Sequence, residues 1–177
     1  MDDLEILRRF APTFAIQLLT AFLCGGLLGF QRERAGSPAG LKTNILVCVG
    51  ATLYMLTGRL ITETMGAGHA VDPTRVASQI VTGIGFLGAG TILQSDRGVR
   101  GLTSAATIWF IGAVGILIGC HYPLLGLMAT LLVLVLMSVA RRIEIWAFRS
   151  RREASNGGAG GGEEPPENRS NPAGRGL

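Results

Sequence analysis

Four glycines, Gly83, Gly85, Gly88 and Gly90, lie inside an apolar run long enough to cross a lipid bilayer. The run contains the letters G-x-G-x-x-G, but a dinucleotide fingerprint needs a preceding strand, a soluble helix and an acid about 20 residues further on, and none is evident. In lipid, glycines this dense serve either close helix packing or locally unwound backbone beside a protected cavity. The chain therefore reads as a membrane protein.

Composition agrees. Of 177 residues, 48% are hydrophobic and 16% charged, and the mean hydropathy is +0.41, which together exclude an ordinary soluble domain and a disordered chain. The formal charge of +4 lies in short loops and forms no patch beside stacking aromatics, so no nucleic-acid partner is expected. Cys24, Cys48 and Cys120 sit singly in apolar runs and read as buried, inert thiols.

A membrane-crossing helix needs about 20 mostly apolar residues. Five segments come close, near residues 12–30, 43–60, 76–94, 102–120 and 123–140. The expected fold is an all-α bundle of five transmembrane helices over residues 1–149. Residues 150–177, rich in Gly, Pro and Glu, read as a disordered cytoplasmic tail. The first run lacks a small-residue cleavage site and reads as a retained anchor; Arg8 and Arg9 leave a twin-arginine signal as the alternative. An N-out, C-in orientation puts Arg32, Arg34, Lys42, Arg97, Arg100, Arg141, Arg142, Arg149, Arg151 and Arg152 in the cytoplasm and leaves Arg8, Arg9, Arg59 and Arg75 outside, the ratio that the positive-inside rule favours. Residues 141–148 mix arginine with aromatics, the composition of ordinary interfacial anchoring.

Gly29 is followed eleven residues later by Gly40-Leu41-Lys42-Thr43, and Gly90 by Gly101-Leu102-Thr103-Ser104. These two short matches are either the trace of a parallel repeat, in which each half is helix, charged loop and helix, or a coincidence in a Gly-rich sequence.

Ionisable groups inside a span cost about 2.5 to 3.5 kcal/mol near its centre, so the residues that carry function are sought at span ends. Glu33 follows a small-residue face made by Gly25 and Gly29. It is either a loop acid or a partner for Arg34, Lys42 or Arg100, and Asp96 is a second candidate for neutralising Arg100. Asp72-Pro73 is a favourable helix start, with the carboxylate capping free amides. Arg75, Ser78, Gln79 and Thr82 follow at i, i+3, i+4 and i+7, a stripe that either lines a polar pathway or bonds to a neighbouring helix. Gly83, Gly85, Gly88 and Gly90 are expected to pack against Gly112, Gly115 and Gly119 of the fourth helix, the alternative being a broken helix whose carbonyls hold a cation. Glu63, His69 and Asp72 lack the spacing of a metal site, and no metal ligands are assigned.

The segments GGLLGFQRERAGSPAGLKTNILVCVGATLY, DPTRVASQIVTGIGFLGAGTILQ and VRGLTSAATIWFIGAVGILIGCHY resemble the membrane domain of the MgtC/SapB family over about residues 12–140. Lys42 stands where Arg is usual before Thr43, and Ser104 where Thr is common. The resemblance implies a bacterial inner-membrane protein of five spans, linked to growth in low magnesium and, in some pathogens, to survival in macrophages. The best-known members continue into an ACT-like cytoplasmic domain, whereas this chain resembles the short SapB-type members.

The expected function is that of a non-enzymatic regulator or accessory of magnesium homeostasis and membrane energetics. No nucleophile, acid/base pair or nucleotide loop points to an enzyme. A magnesium or other small-cation transporter and a structural subunit are the alternatives. No cofactor is expected; magnesium is the ion that the resemblance raises. Expected partners are membrane lipid, a second copy of the chain and, by family analogy, the F-type ATP synthase.

Overall fold

The structure is a computed structural model that describes residues 3–65, 71–95 and 98–157. Five helices are present: α1 (Asp3–Arg34), α2 (Leu41–Met65), α3 (Pro73–Ala89), α4 (Leu102–Gly119) and α5 (Pro123–Gly157). Between α3 and α4 a short antiparallel hairpin joins β1 (Leu93–Ser95) to β2 (Gly98–Arg100), with Leu93 opposite Arg100 and Gln94 opposite Val99. Four helices carry stretches long and apolar enough to cross a membrane, Phe10–Arg34, Leu41–Thr64, Leu102–Gly119 and Pro123–Trp146. The 17 residues of α3 extend about 25 Å at 1.5 Å per residue, just under the hydrocarbon thickness.

Residues Met1–Leu136 form one compact unit and Met137–Leu177 a second. Within the first, α2 and α4 are central: α2 packs on α1, α3 and α4, and α4 also meets α1 and α3. Cys24, Leu28, Cys48, Ile108, Ile111, Val114 and Ile118 are fully buried there. Outward-facing Leu19, Phe22, Leu46, Phe86 and Leu132 are exposed, the arrangement suited to lipid as the surrounding solvent.

Lipid tails are as apolar as leucine, so close van der Waals approach and interhelical hydrogen bonds hold such helices together. Small residues permit that approach. A methyl group at Gly25 would stand 2.7 Å from Ile45 Cα, and one at Gly29 2.8 Å from Leu41 Cα, so α1 and α2 touch backbone to backbone. At Gly115 it would lie 2.5 Å from the Cys48 carbonyl oxygen, and at Gly119 it would strike Met55 Cβ. Thr52 adds a polar link: its hydroxyl lies 2.9 Å from Cys48 O on its own helix and 3.0 Å from Gly115 O on α4, sharing one proton between them.

The glycines of α3 behave differently from expectation. The α4 face of Gly115 and Gly119 packs on α2, and only Gly112 meets α3, through Ile84. Gly88 approaches Ala105 O at 3.4 Å, whereas at Gly83 and Gly85 an added methyl group would meet nothing within 4 Å, and at Gly90 it would meet only carbonyls of its own last turn. The reason lies in the register of α3, which buries Ile80, Ile84 and Gly88 and turns Gly83, Gly85 and Gly90 outward.

The third apolar segment also ends earlier than its expected limit at residue 94. Gly90 N–H donates to Phe86 O, and the Thr91 hydroxyl closes on Gly88 O at 2.8 Å, finishing the helix. The chain then folds into the hairpin, which adds a β element to an otherwise all-α architecture. Gly101 ends that hairpin at φ 89°, and a side chain there would also collide with the Thr91 carbonyl oxygen. Only glycine meets both demands.

In the second unit α5 continues to Gly157, past the expected boundary at residue 149. Arg151, Arg152, Glu153 and Ala154 are good helix formers, and the Gly157-Gly158 pair ends their influence. The described side chains Arg141, Arg142, Ile143, Glu144, Ile145 and Trp146 are exposed. Residues 158–177 of the expected tail, together with His69, Asp96 and Arg97, lie outside the described residues.

Candidate functional site

At one end of the first unit the α1–α2 loop meets the start of α4. Ser37 and Ser104 hydroxyls are 2.7 Å apart, and the Arg32 guanidinium donates to Ser37 Oγ at 3.1 Å. Glu33 Oε2 accepts the Leu41 N–H at 2.6 Å, so this carboxylate caps the first turn of α2. A carboxylate at a helix N-terminus satisfies a free donor and complements the macrodipole. The expected ties from Glu33 to Arg34, Lys42 or Arg100 are therefore not its main contact. Arg34 instead lies over the Phe30 ring, 4.4 Å from its centroid. Lys42 and Arg100 are exposed. Thr43 is half-buried and lines a cavity with Gly90, Thr91 and Ile108. Thr103 is exposed and offers its carbonyl to the Thr107 hydroxyl.

Asn44, fully buried one turn into α2, donates to Ala39 O and Gly40 O, and its Oδ1 has no hydrogen-bond partner among the described residues. Gly40 and Gly101 immediately precede α2 and α4, so the two short sequence matches fall at equivalent helix starts.

The opposite end carries the α2–α3 and α4–α5 connections. Asp72 Oδ1 accepts from Thr74 N at 2.8 Å and Thr74 Oγ1 at 2.7 Å. These hydrogen bonds, the hydroxyl's first, hold the carboxyl below its ordinary range. Asp72 thus caps α3, as Asp-Pro requires. Nearby, Arg59 Nε and Glu63 Oε1 pair at 2.5 Å across one turn of α2.

Between them and α1 stands His121, in the left-handed region at φ 71° where a helix end usually places glycine. Its ring is tied down: the Gln17 amide donates to Ile118 O at 2.7 Å and lies 3.0 Å from His121 Nδ1. The amide nitrogen is a donor only, so Nδ1 accepts and the neutral ring carries its proton on Nε2. Burial, then the Arg59 charge, lower the His121 pKa, with Glu63 opposing. Gln17 is 1% exposed, and its Oε1 has no hydrogen-bond partner among the described residues. Arg59, Glu63 and His121 line both a cavity of about 160 Å³ against α1 and one of about 460 Å³ against α3.

A larger groove of about 710 Å³ separates α2 from α3. Arg75 and Gln79 of the expected polar stripe line it, facing Tyr54 and Gly50. The other two members of the stripe bond within their own helix, Ser78 Oγ to Arg75 O at 2.8 Å and Thr82 Oγ1 to Ser78 O at 2.9 Å. The stripe is therefore no row of hydroxyls seeking a partner.

Sequence reasoning missed Gln17, Asn44, Thr52, Ser37 and His121. The amides carried a signal: a lone Gln or Asn inside an apolar run must find a partner in lipid. His121 carried none, because its role depends on Gln17, which is 104 residues away. Among the described residues no group of three or more His, Cys, Asp or Glu is placed to hold a metal ion.

A protein-family model described as the MgtC family matches residues 18–146. Protein MgtC of Brucella abortus is 41% identical over 139 residues, covering 78% of this chain and 56% of the relative. Protein MgtC of Salmonella typhimurium is 39% identical over 134 residues, covering 73% and 55%. A protein of Escherichia coli K12 called putative magnesium transporter YhiD is 36% identical over 132 residues, covering 73% and 61%. The chain thus spans little more than half the length of these relatives. No solved structure matches significantly.

Proposed function

The chain belongs to the MgtC family, and we propose that it is a non-enzymatic regulator or accessory of magnesium homeostasis and membrane energetics, seated in the bacterial inner membrane with its amino terminus outside. One observation carries the preference for regulation over transport. Glu33 caps α2, Asp72 caps α3 and Glu63 holds Arg59, so these three acids are engaged in structure at helix ends. A magnesium pathway would call on one or two carboxylates with water, and the α2–α3 groove is lined by none. The F-type ATP synthase, by family analogy, is the partner whose activity such a bundle would restrain through membrane contacts.

The name of the Escherichia coli relative favours a second reading, magnesium transport. Purified protein in liposomes under imposed magnesium and proton gradients separates the two. The regulatory reading expects no saturable flux, and copurification of the chain with a membrane complex from cells grown in low magnesium. Saturable flux that Asp72→Asn or Glu33→Gln abolishes would establish transport instead.

A further inference from the structure

The α2–α3 groove is one that the described side chains do not fill. Gly50 and Gly83 line it from opposite helices, and a methyl group at either would meet nothing within 4 Å. Glycine inside a helix sacrifices about 1 kcal/mol of propensity relative to alanine. At Gly25 and Gly115 close backbone approach offsets that loss, but at Gly50 and Gly83 nothing among the described residues does.

The groove is chemically polarised. Gly58 packs against Val76 beside the α2–α3 connection; Arg75 lies at that level, and one turn further along lie Gln79 and Tyr54, the other polar groups of the lining. Beyond them the walls are apolar, through Ile80 and Val47 to Leu87. From Arg75 to Leu87 the wall is about 18 Å long. Arg75 is exposed and has no ion-pair partner within 4 Å among the described residues; the Asp72 carboxylate is held by Thr74 and senses the Arg75 charge as the smallest of its influences. One cation at the mouth of an apolar slot complements an amphiphile with an anionic head.

We propose that this groove is a binding site for an anionic phospholipid, one acyl chain lying over Gly50 and Gly83 and the phosphate held by the Arg75 guanidinium with the Gln79 amide. The alternative occupant is a second copy of the chain. A two-fold axis along the membrane normal would set the two Arg75 side chains at one depth in one interface, and like charges in a low dielectric repel. Ser78 and Thr82, bonded to their own helix, ask for no partner helix either. The inference rests on the fold alone and is independent of the regulatory reading.

The test uses the full chain purified in detergent, offered phosphatidylglycerol and phosphatidylcholine of equal acyl length, with retained lipid counted by native mass spectrometry. We expect one phosphatidylglycerol retained in roughly tenfold preference, the scale of one charged hydrogen-bonded contact. Arg75→Gln should abolish the preference, and Gly83→Leu should reduce retention of both lipids at unchanged helix content. Gly50→Leu, on the other wall, gives the same readout if Gly83→Leu fails to fold. Equal retention of the two lipids by the unaltered chain, or an unchanged preference in Arg75→Gln, overturns the proposal. So does a dimer that Gly83→Leu converts to monomer, which would assign the groove to a second copy.

Discussion

Gly115 and Gly85 are the same residue type in neighbouring helices and do opposite things. At Gly115 a methyl group would press on the Cys48 carbonyl, and at Gly25 on the Ile45 backbone, neither of which can step aside. Gly85 faces open space. Gly25→Ala and Gly115→Ala should each lower the melting temperature in detergent, at a cost of about 1–3 kcal/mol for overpacking. Gly85→Ala should leave it unchanged or raise it, gaining about 1 kcal/mol of helix propensity. An equal loss at all three would mean that α3 packs as tightly as α2.

His121 makes a pH prediction at the same scale. Its pKa is lowered in the folded chain, first by burial and then by Arg59, against the opposing pull of Glu63. Depression favours the neutral ring, the form that accepts at Nδ1 from Gln17. The stability linked to this ring is therefore complete above the unfolded value near 6.5 and is lost as pH falls through the folded value. Melting temperature should drop between pH 7.5 and pH 5, and His121→Asn should flatten that slope. An unaltered slope in the variant would remove His121 from the account.

Among the elements, α2 depends on a residue outside it. Glu33, at the end of α1, supplies the acceptor for the first free amide of α2, so Glu33→Ala should destabilise by about 1 kcal/mol, as for other lost caps. Arg100→Gln should be additive with it in a double-mutant cycle of thermal stability. A coupling above about 0.5 kcal/mol would restore the pairing of these two charges.

The elements were legible to different degrees for physical reasons. Each expected span overlaps a helix, because twenty apolar residues in succession admit few other structures in lipid. The hairpin was not legible: Leu93 and Gln94 sit at the end of an apolar run, Val99 lies beyond a polar turn, and neither strand is longer than three residues. The Asp72 cap followed from Asp-Pro, a local signal. The direction in which each glycine points depends instead on helix rotation, set by distant residues such as Ile84 and Ile108. That is why Gly25 and Gly29 could be paired with close packing from sequence, while Gly83 and Gly85 were assigned to a contact they do not make.

For the whole molecule, the decisive element is α3. It is the shortest helix among the described residues, and whether it crosses the bilayer fixes the side on which α4 begins. The Ser37–Ser104 bond brings the α1–α2 loop and the start of α4 to one end. Asp72, Arg59 and His121 belong to the other end, and α3 runs between the two beside α2 and α4. We expect α3 to cross as the fifth span, with slight local thinning of the bilayer to match a helix of that length.

Labelling of Asp72→Cys and Arg100→Cys, each in a chain whose three native cysteines are replaced by alanine, tests this most directly. A membrane-impermeant maleimide applied to intact cells should modify the first substitution, and should reach the second only after the membrane is opened. Modification of both from the same side would mean that α3 does not cross, and the five-span account would fail.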